Sequence, residues 1–177
     1  LAAGSADSAA VLTLAPGTYT IQVDDPRGNG GVGLAEIYDA GSGAGARLVN
    51  VSSRGAAGAG NDALISGFVL EGGVSSRVLL RGVGPGLVQF GATHTVADPV
   101  IALYDSAGQA LGANDNWVSS VGDIATAAAR AGAFPLVAGS KDAAVLANLP
   151  SGVYTIQVSS DSTRPSSALL EVYELRY

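Results

Sequence analysis

Polar and apolar residues alternate with a period of two along most of the chain. In Thr18-Tyr19-Thr20-Ile21-Gln22-Val23, Tyr19, Ile21 and Val23 share one face and the polar residues the other, the signature of a half-buried strand. Val153–Val158 repeats the pattern, with Tyr154, Ile156 and Val158 on one face. Further strands are predicted over Ala9–Leu14, Val32–Tyr38, Arg47–Ser52, Ala63–Leu70, Arg77–Val83, Pro99–Tyr104, Ala143–Leu149 and Ala168–Leu175. Gly, Pro, Asn, Asp and Ser punctuate them at sandwich spacing. In Ala15-Pro16-Gly17, proline presets φ and glycine tolerates positive φ, so the strands on either side join through a tight turn. Alanine-rich Asp123–Ala131 is predicted helical, stopped by Gly132, and Pro85–Phe90 is predicted to make one turn before Gly91. The predicted fold is an all-β antiparallel sandwich of Greek-key or jelly-roll type with short helical insertions.

The strands also repeat. Ala3-Gly4-Ser5-Ala6-Asp7 matches Ala138-Gly139-Ser140-Lys141-Asp142, Tyr19–Val23 is identical to Tyr154–Val158, and Leu34–Tyr38 matches Leu169–Tyr173. The offset from Ala3 to Ala138 is the same as from Tyr19 to Tyr154 and from Tyr38 to Tyr173, so the copies align without a gap. Residues 46–137 have no earlier counterpart. The chain is therefore expected to hold one complete module at 46–177, preceded at 1–45 by a partial repeat, the last three strands of a second module. Three lone strands bury too little to be stable and leave their backbone edges unpaired, so they need a partner surface. That surface lies on their own module, on a neighbouring copy, or on an adjacent repeat of a longer array.

Composition narrows the chemistry. The 177 residues carry a net charge of -6, so no basic stripe is present to meet nucleic-acid phosphates. There is no cysteine, which excludes disulfides and thiolate chemistry, and a single histidine argues against a His-based catalytic or metal centre. No run approaches the length of a membrane span. Absence of cysteine and scarcity of lysine, with abundant Gly, Ala, Ser, Thr and Val, suit a secreted protein of the bacterial exterior, extracellular or on the cell surface.

A longer signature runs through the module: Arg77-Val78-Leu79-Leu80-Arg81-Gly82-Val83-Gly84-Pro85-Gly86-Leu87, then Ala97–Gly108 with its Leu103-Tyr104-Asp105, then Asn114-Asp115-Asn116-Trp117, Leu149–Tyr154 and Leu170–Tyr173. Together these resemble a β-rich repeat module of large secreted bacterial surface proteins. They also distantly resemble the bacterial pre-peptidase C-terminal domain. The resemblance covers most of 46–177, and its last part covers 8–40. It implies a secreted β-sandwich with accessory roles and no catalytic residues.

Each candidate site has a plainer reading. Gly28-Asn29-Gly30-Gly31-Val32-Gly33 fits a dinucleotide motif in letters, but strands flank it where a helix must follow, so it reads as a hairpin. Gly82–Gly86 lacks the Lys-Ser/Thr ending of a phosphate loop. His94 stands alone in a loop. Asp24, Asp25, Asp105 and Asp115 are the carboxylates from which a glycosidase pair would be drawn, but Asp24-Asp25-Pro26 has turn chemistry. Asp105, Asn114, Asp115 and Asn116 form the candidate metal site, for calcium, because hard cations take clustered oxygen ligands; the alternative is Asx-turns. No other cofactor is expected. Asn50-Val51-Ser52 is a formal glycosylation sequon. Trp117, Tyr104, Tyr154 and Tyr173 are either a sugar platform or core.

The expected role is structural and non-enzymatic: a subunit of an extracellular filament whose partners are copies of itself or adjacent repeats. Strands 8–14, 18–23 and 31–38 complement a neighbour through backbone pairing. Val11, Leu12, Leu14, Tyr19, Ile21, Val23, Leu34, Ile37 and Tyr38 form the assembly interface. The alternative is an accessory, adhesion or carbohydrate-binding module of a larger secreted tandem-repeat protein.

Overall fold

The computed structural model describes residues 2, 4–41 and 47–175, except for the side chains of 119–121. The expected module boundary at 45/46, and Ala3 of the first repeat match, lie outside the described residues. The chain divides into two units, Leu1–Leu48 and Val49–Tyr177.

The second unit is a sandwich of two four-stranded antiparallel sheets. Its strands are β1 (Asn50–Ala57), β2 (Leu64–Leu70), β3 (Ser76–Val83), β4 (Val100–Asp105), β5 (Ala110–Asn114), β6 (Ala143–Leu149), β7 (Gly152–Ser159) and β8 (Ser166–Leu175). One sheet runs β1-β8-β3-β6 and the other β2-β7-β4-β5. The expected strands of this unit form within a few residues of their expected ends. β5 was not expected; its small residues carry no alternation, and only pairing with β4 makes them a strand.

The helix α1 (Val121–Ala131) also forms where expected. It ends at Gly132, whose φ of 72° suits glycine and turns the chain so that the next N–H, of Ala133, reaches the Ala128 carbonyl at 2.9 Å. Pro85–Phe90 is a short 3-10 helix that stops at left-handed Gly91. Among the described residues, no helix is long and apolar enough to cross a membrane.

The two faces of the first sheet bury different things. Val78, Leu80, Leu170 and Val172 meet Ile101, Leu103, Tyr154, Ile156 and Val158 of the second sheet. Leu79, Val83, Tyr173 and Leu175 instead meet Leu87, Trp117, Ile124, Ala127 and Ala128 of the helical segments and Leu136 of the loop after α1. A strand covered on both faces has little use for alternation, and β3 accordingly reads Val-Leu-Leu-Arg-Gly-Val. The second sheet is covered on one face only, so β2 and β7 keep the period of two.

In the first unit, the strands expected over Ala9–Leu14, Thr18–Val23 and Val32–Tyr38 belong to no ladder, which corrects that expectation. The topology supplies the reason. By the repeat alignment these segments are the counterparts of β6, β7 and β8. In the complete module β6 and β8 flank β3 in one sheet, while β7 lies between β2 and β4 in the other. None of the three pairs with another. A copy of β6–β8 alone therefore lacks every strand against which it would form hydrogen bonds.

Candidate functional site

The closing strands β6–β8 and the segment that duplicates them are the features that stand apart from ordinary core. In the complete module they carry two buried polar networks. The first joins β3 to β8. Register sets Arg81 opposite Glu171. The Arg81 Nε donates to Glu171 Oε2 at 2.7 Å, and Nη2 stands 2.6 Å from the same oxygen. Its Nη1 donates to the Phe134 carbonyl at 2.6 Å, and the guanidinium lies 4.2 Å from the centre of the Phe134 ring. Tyr173 donates its hydroxyl proton to Glu171 Oε1 at 2.7 Å. Burial, and then the Glu171 carboxylate, push the Tyr173 hydroxyl well above its ordinary 10.0.

The second network precedes β6. Asp142 Oδ1 accepts the backbone N–H of Gly84 at 2.9 Å and of Gly86 at 3.0 Å. Its Oδ2 accepts the Ser140 hydroxyl at 2.7 Å, and Ser140 Oγ accepts the Trp117 indole N–H at 3.1 Å. Gly84 passes so close to the chain at Val96 that a Cβ would fall 2.1 Å from the Val96 carbonyl oxygen. The Gly-Pro-Gly turn is thus packed against one segment and held by the carboxylate that introduces a strand.

The first unit reproduces the local chemistry of β6–β8. Tyr154 donates to the Pro150 carbonyl at 2.8 Å, and Tyr19 donates to the Ala15 carbonyl at 2.7 Å. The Tyr173–Glu171 bond has its counterpart in Tyr38 donating to Glu36 Oε1 at 3.0 Å. After β7, Ser160 Oγ accepts the Ser162 N–H at 3.4 Å; at the equivalent point Asp25 Oδ1 accepts the Arg27 N–H at 2.9 Å. The N–H groups of Arg27 and Asn29 hold the Asp25 carboxyl below its ordinary range. Each bond spans four residues or fewer, so sequence-local geometry suffices to form it.

What differs is burial. Tyr154, Ile156 and Val158 are 5%, 0% and 0% exposed, while Tyr19, Ile21 and Val23 are 54%, 59% and 62% exposed. Val11, Leu12, Leu14, Leu34, Ile37 and Tyr38 are exposed as well, so all nine expected assembly residues present apolar surface to solvent. Ser5, Asp7 and Glu36, the equivalents of Ser140, Asp142 and Glu171, are exposed too. Among the described residues, Glu36 has no basic partner.

The expected calcium set does not come together. Asp105 ends β4, where its Oδ1 accepts the N–H of Ala107 and of Gln109 as an Asx-turn. Asn114 pairs with Ile101 at the other end of the same hairpin, roughly 13 Å away at strand rise. There its side chain accepts the Ala144 N–H and donates to the Asn116 carbonyl, while Asp115 is exposed. Among the described residues no three His, Asp or Glu side chains cluster as a metal site.

The other candidates are placed as follows. Trp117, Tyr154 and Tyr173 are buried in the core, while Tyr104 is half-buried on the face of β4 opposite Ile101 and Leu103, so the four form no common platform. His94 is exposed in a loop with φ 56°. Asn50 opens β1, and its amide donates to the Val172 carbonyl. An open cavity of about 510 Å³ between the β5 and β6 edges is lined by Leu103, Leu111, Val145, Leu149 and Tyr154, with Asp105 its one carboxylate.

The buried networks were missed by reasoning from sequence. Their trace was there: a charged residue inside each of two apolar runs, Arg81 in β3 and Glu171 in β8. Residues of that kind are buried only when paired. No protein-family model matches the chain, and no curated protein matches it either.

Proposed function

We propose that the protein is a non-enzymatic structural element of an extracellular bacterial fibre built from β-sandwiches that recur at the spacing of the internal repeat. In this fibre residues 8–40 close a second sandwich. The observation that carries the reading is the contrast between two chemically equivalent strand triplets. One is buried in a complete sandwich; the other keeps its local bonds and exposes the same apolar face. Burying Tyr19, Ile21 and Val23 from their present exposure contributes about 1 kcal/mol each, to which backbone pairing adds.

Stoichiometry defines the acceptor. The module at 49–175 already holds its own β6–β8. The described residues therefore contribute one opening set of strands and two closing sets. Exchange between identical copies would leave one closing set over in every chain. This favours an acceptor that supplies the β1–β5 pattern without its closing strands, as an adjacent repeat does, over head-to-tail exchange between complete copies. Joints of this kind are heterologous and propagate along one direction.

Electron microscopy of the native material tests the reading. Beaded fibres are expected, lost when residues 1–41 are deleted in the producing cell. Dispersed single particles in the native material, or fibres that survive the deletion, overturn it.

A further inference from the structure

Resting on that reading, we infer that Ser5, Asp7 and Glu36 are a polar recognition code, and that their partner is a β-sandwich segment carrying three groups in fixed order. These are an arginine set into a β3-like strand, the two N–H groups of a following Gly-Pro-Gly turn, and an indole N–H. The complete module shows what each group is for. Glu171 holds Arg81, Asp142 caps Gly84 and Gly86, and Ser140 accepts from Trp117. At the equivalent positions of the first copy stand Glu36, Asp7 and Ser5, with the acceptor chemistry kept and, among the described residues, no arginine, glycine N–H or indole donating to it. Glu36 is even oriented by the same tyrosine bond, through Tyr38.

The three positions are kept while neighbours drift. Ala6 stands for Lys141, Ala35 for Leu170 and Ile37 for Val172. An exposed strand that needed only solubility would not require a carboxylate at the two places where the complete module buries one. Closing a sandwich without the donors would instead bury two carboxylates without partners, which is strongly unfavourable. The code thus admits an opening segment with the Arg-Gly-Val-Gly-Pro-Gly and Trp pattern and rejects an apolar sheet edge that lacks it.

The test places a second copy of residues 49–135 directly ahead of residue 1 of the full chain, which restores the register of the repeat. In this fusion, amides of 18–23 and 32–38 should gain protection from exchange on the order of 100-fold or more over the same amides in the parent chain. Glu36→Gln should lower the melting midpoint of the added sandwich by on the order of 10 °C, and Asp7→Ala by a similar amount. In the parent chain the same substitutions should leave the melt unchanged. Ile21→Ala in the fusion is the packing control and should destabilise through lost burial alone.

Unprotected amides in the fusion overturn the proposal. So does a fusion that closes but is indifferent to Glu36→Gln and Asp7→Ala, because apolar burial then suffices. A fusion that behaves as expected alongside native material without fibres would refute the fibre and leave the recognition standing.

Discussion

Glu171→Gln offers the sharpest check on how the closing strands are held. The side chains of Arg81 and Glu171 are 0% and 6% exposed, and both nearer guanidinium nitrogens lie within 2.7 Å of Glu171 Oε2. Removing the carboxylate charge leaves a guanidinium that water cannot reach, facing a neutral amide. Loss of one partner from a buried pair costs about 3–5 kcal/mol. The remaining bond to the Phe134 carbonyl, and whatever the amide oxygen can accept, place this variant at the low end, about 3 kcal/mol. For a module of this size that is a fall of roughly 10 °C in melting midpoint. Urea and thermal unfolding, followed by Trp117 fluorescence, read it directly. The difference should persist in high salt, because screening reaches buried charges poorly. The combined variant Arg81→Met, Glu171→Leu, Tyr173→Phe removes the three polar side chains of the network and should lie within about 2 kcal/mol of the parent. A Glu171→Gln variant within about 1 kcal/mol of the parent would refute the reasoning. A combined variant as unstable as the single one would refute the claim that the cost is an orphaned charge.

Other consequences follow from the same geometry. Gly84→Ala should cost at least about 3 kcal/mol, since its Cβ would collide with the Val96 carbonyl; calorimetry on the purified variant decides it. Asp142→Ala orphans the N–H groups of Gly84 and Gly86 together with the Ser140 hydroxyl, and should lower stability by about 3 kcal/mol, while Asp142→Asn, which keeps the Oδ1 acceptor, should cost less than half of that. Tyr173 has its hydroxyl raised in the fold, so the folded protein holds that proton more tightly than the unfolded chain. The contribution of this group to stability should be level below about pH 10 and decline as pH rises further, and Tyr173→Phe should flatten the decline in a denaturation series. Asp25 has the opposite sign: its depressed carboxyl favours the turn above the ordinary range, and that preference should fade as pH falls below about 4, visible by NMR of the Arg27 and Asn29 amides.

Much of this molecule was legible in one dimension. Alternation located β2 and β7 because only one face of their sheet is covered, and proline and glycine located the 3-10 turn and the end of α1. The repeat at Tyr19 and Tyr154 was legible for the same reason that its hydrogen bonds recur: each is made within four residues of chain. Sequence therefore located the strands of the second unit, β5 excepted, and showed which segments are copies of one another.

Tertiary structure decided what those copies need. Periodicity says nothing about which sheet a strand joins, and it is the distribution of β6, β7 and β8 over two sheets that leaves their copy without partners. The residues expected to share a calcium ion are divided on the same ground, because Asp105 and Asn114 stand at opposite ends of one hairpin. The pairing of Arg81 with Glu171, far apart along the chain, exists only once β3 and β8 lie side by side in register. Local chemistry follows from sequence because it is made over a few residues; burial and partnership are long-range, and the fold alone assigns them.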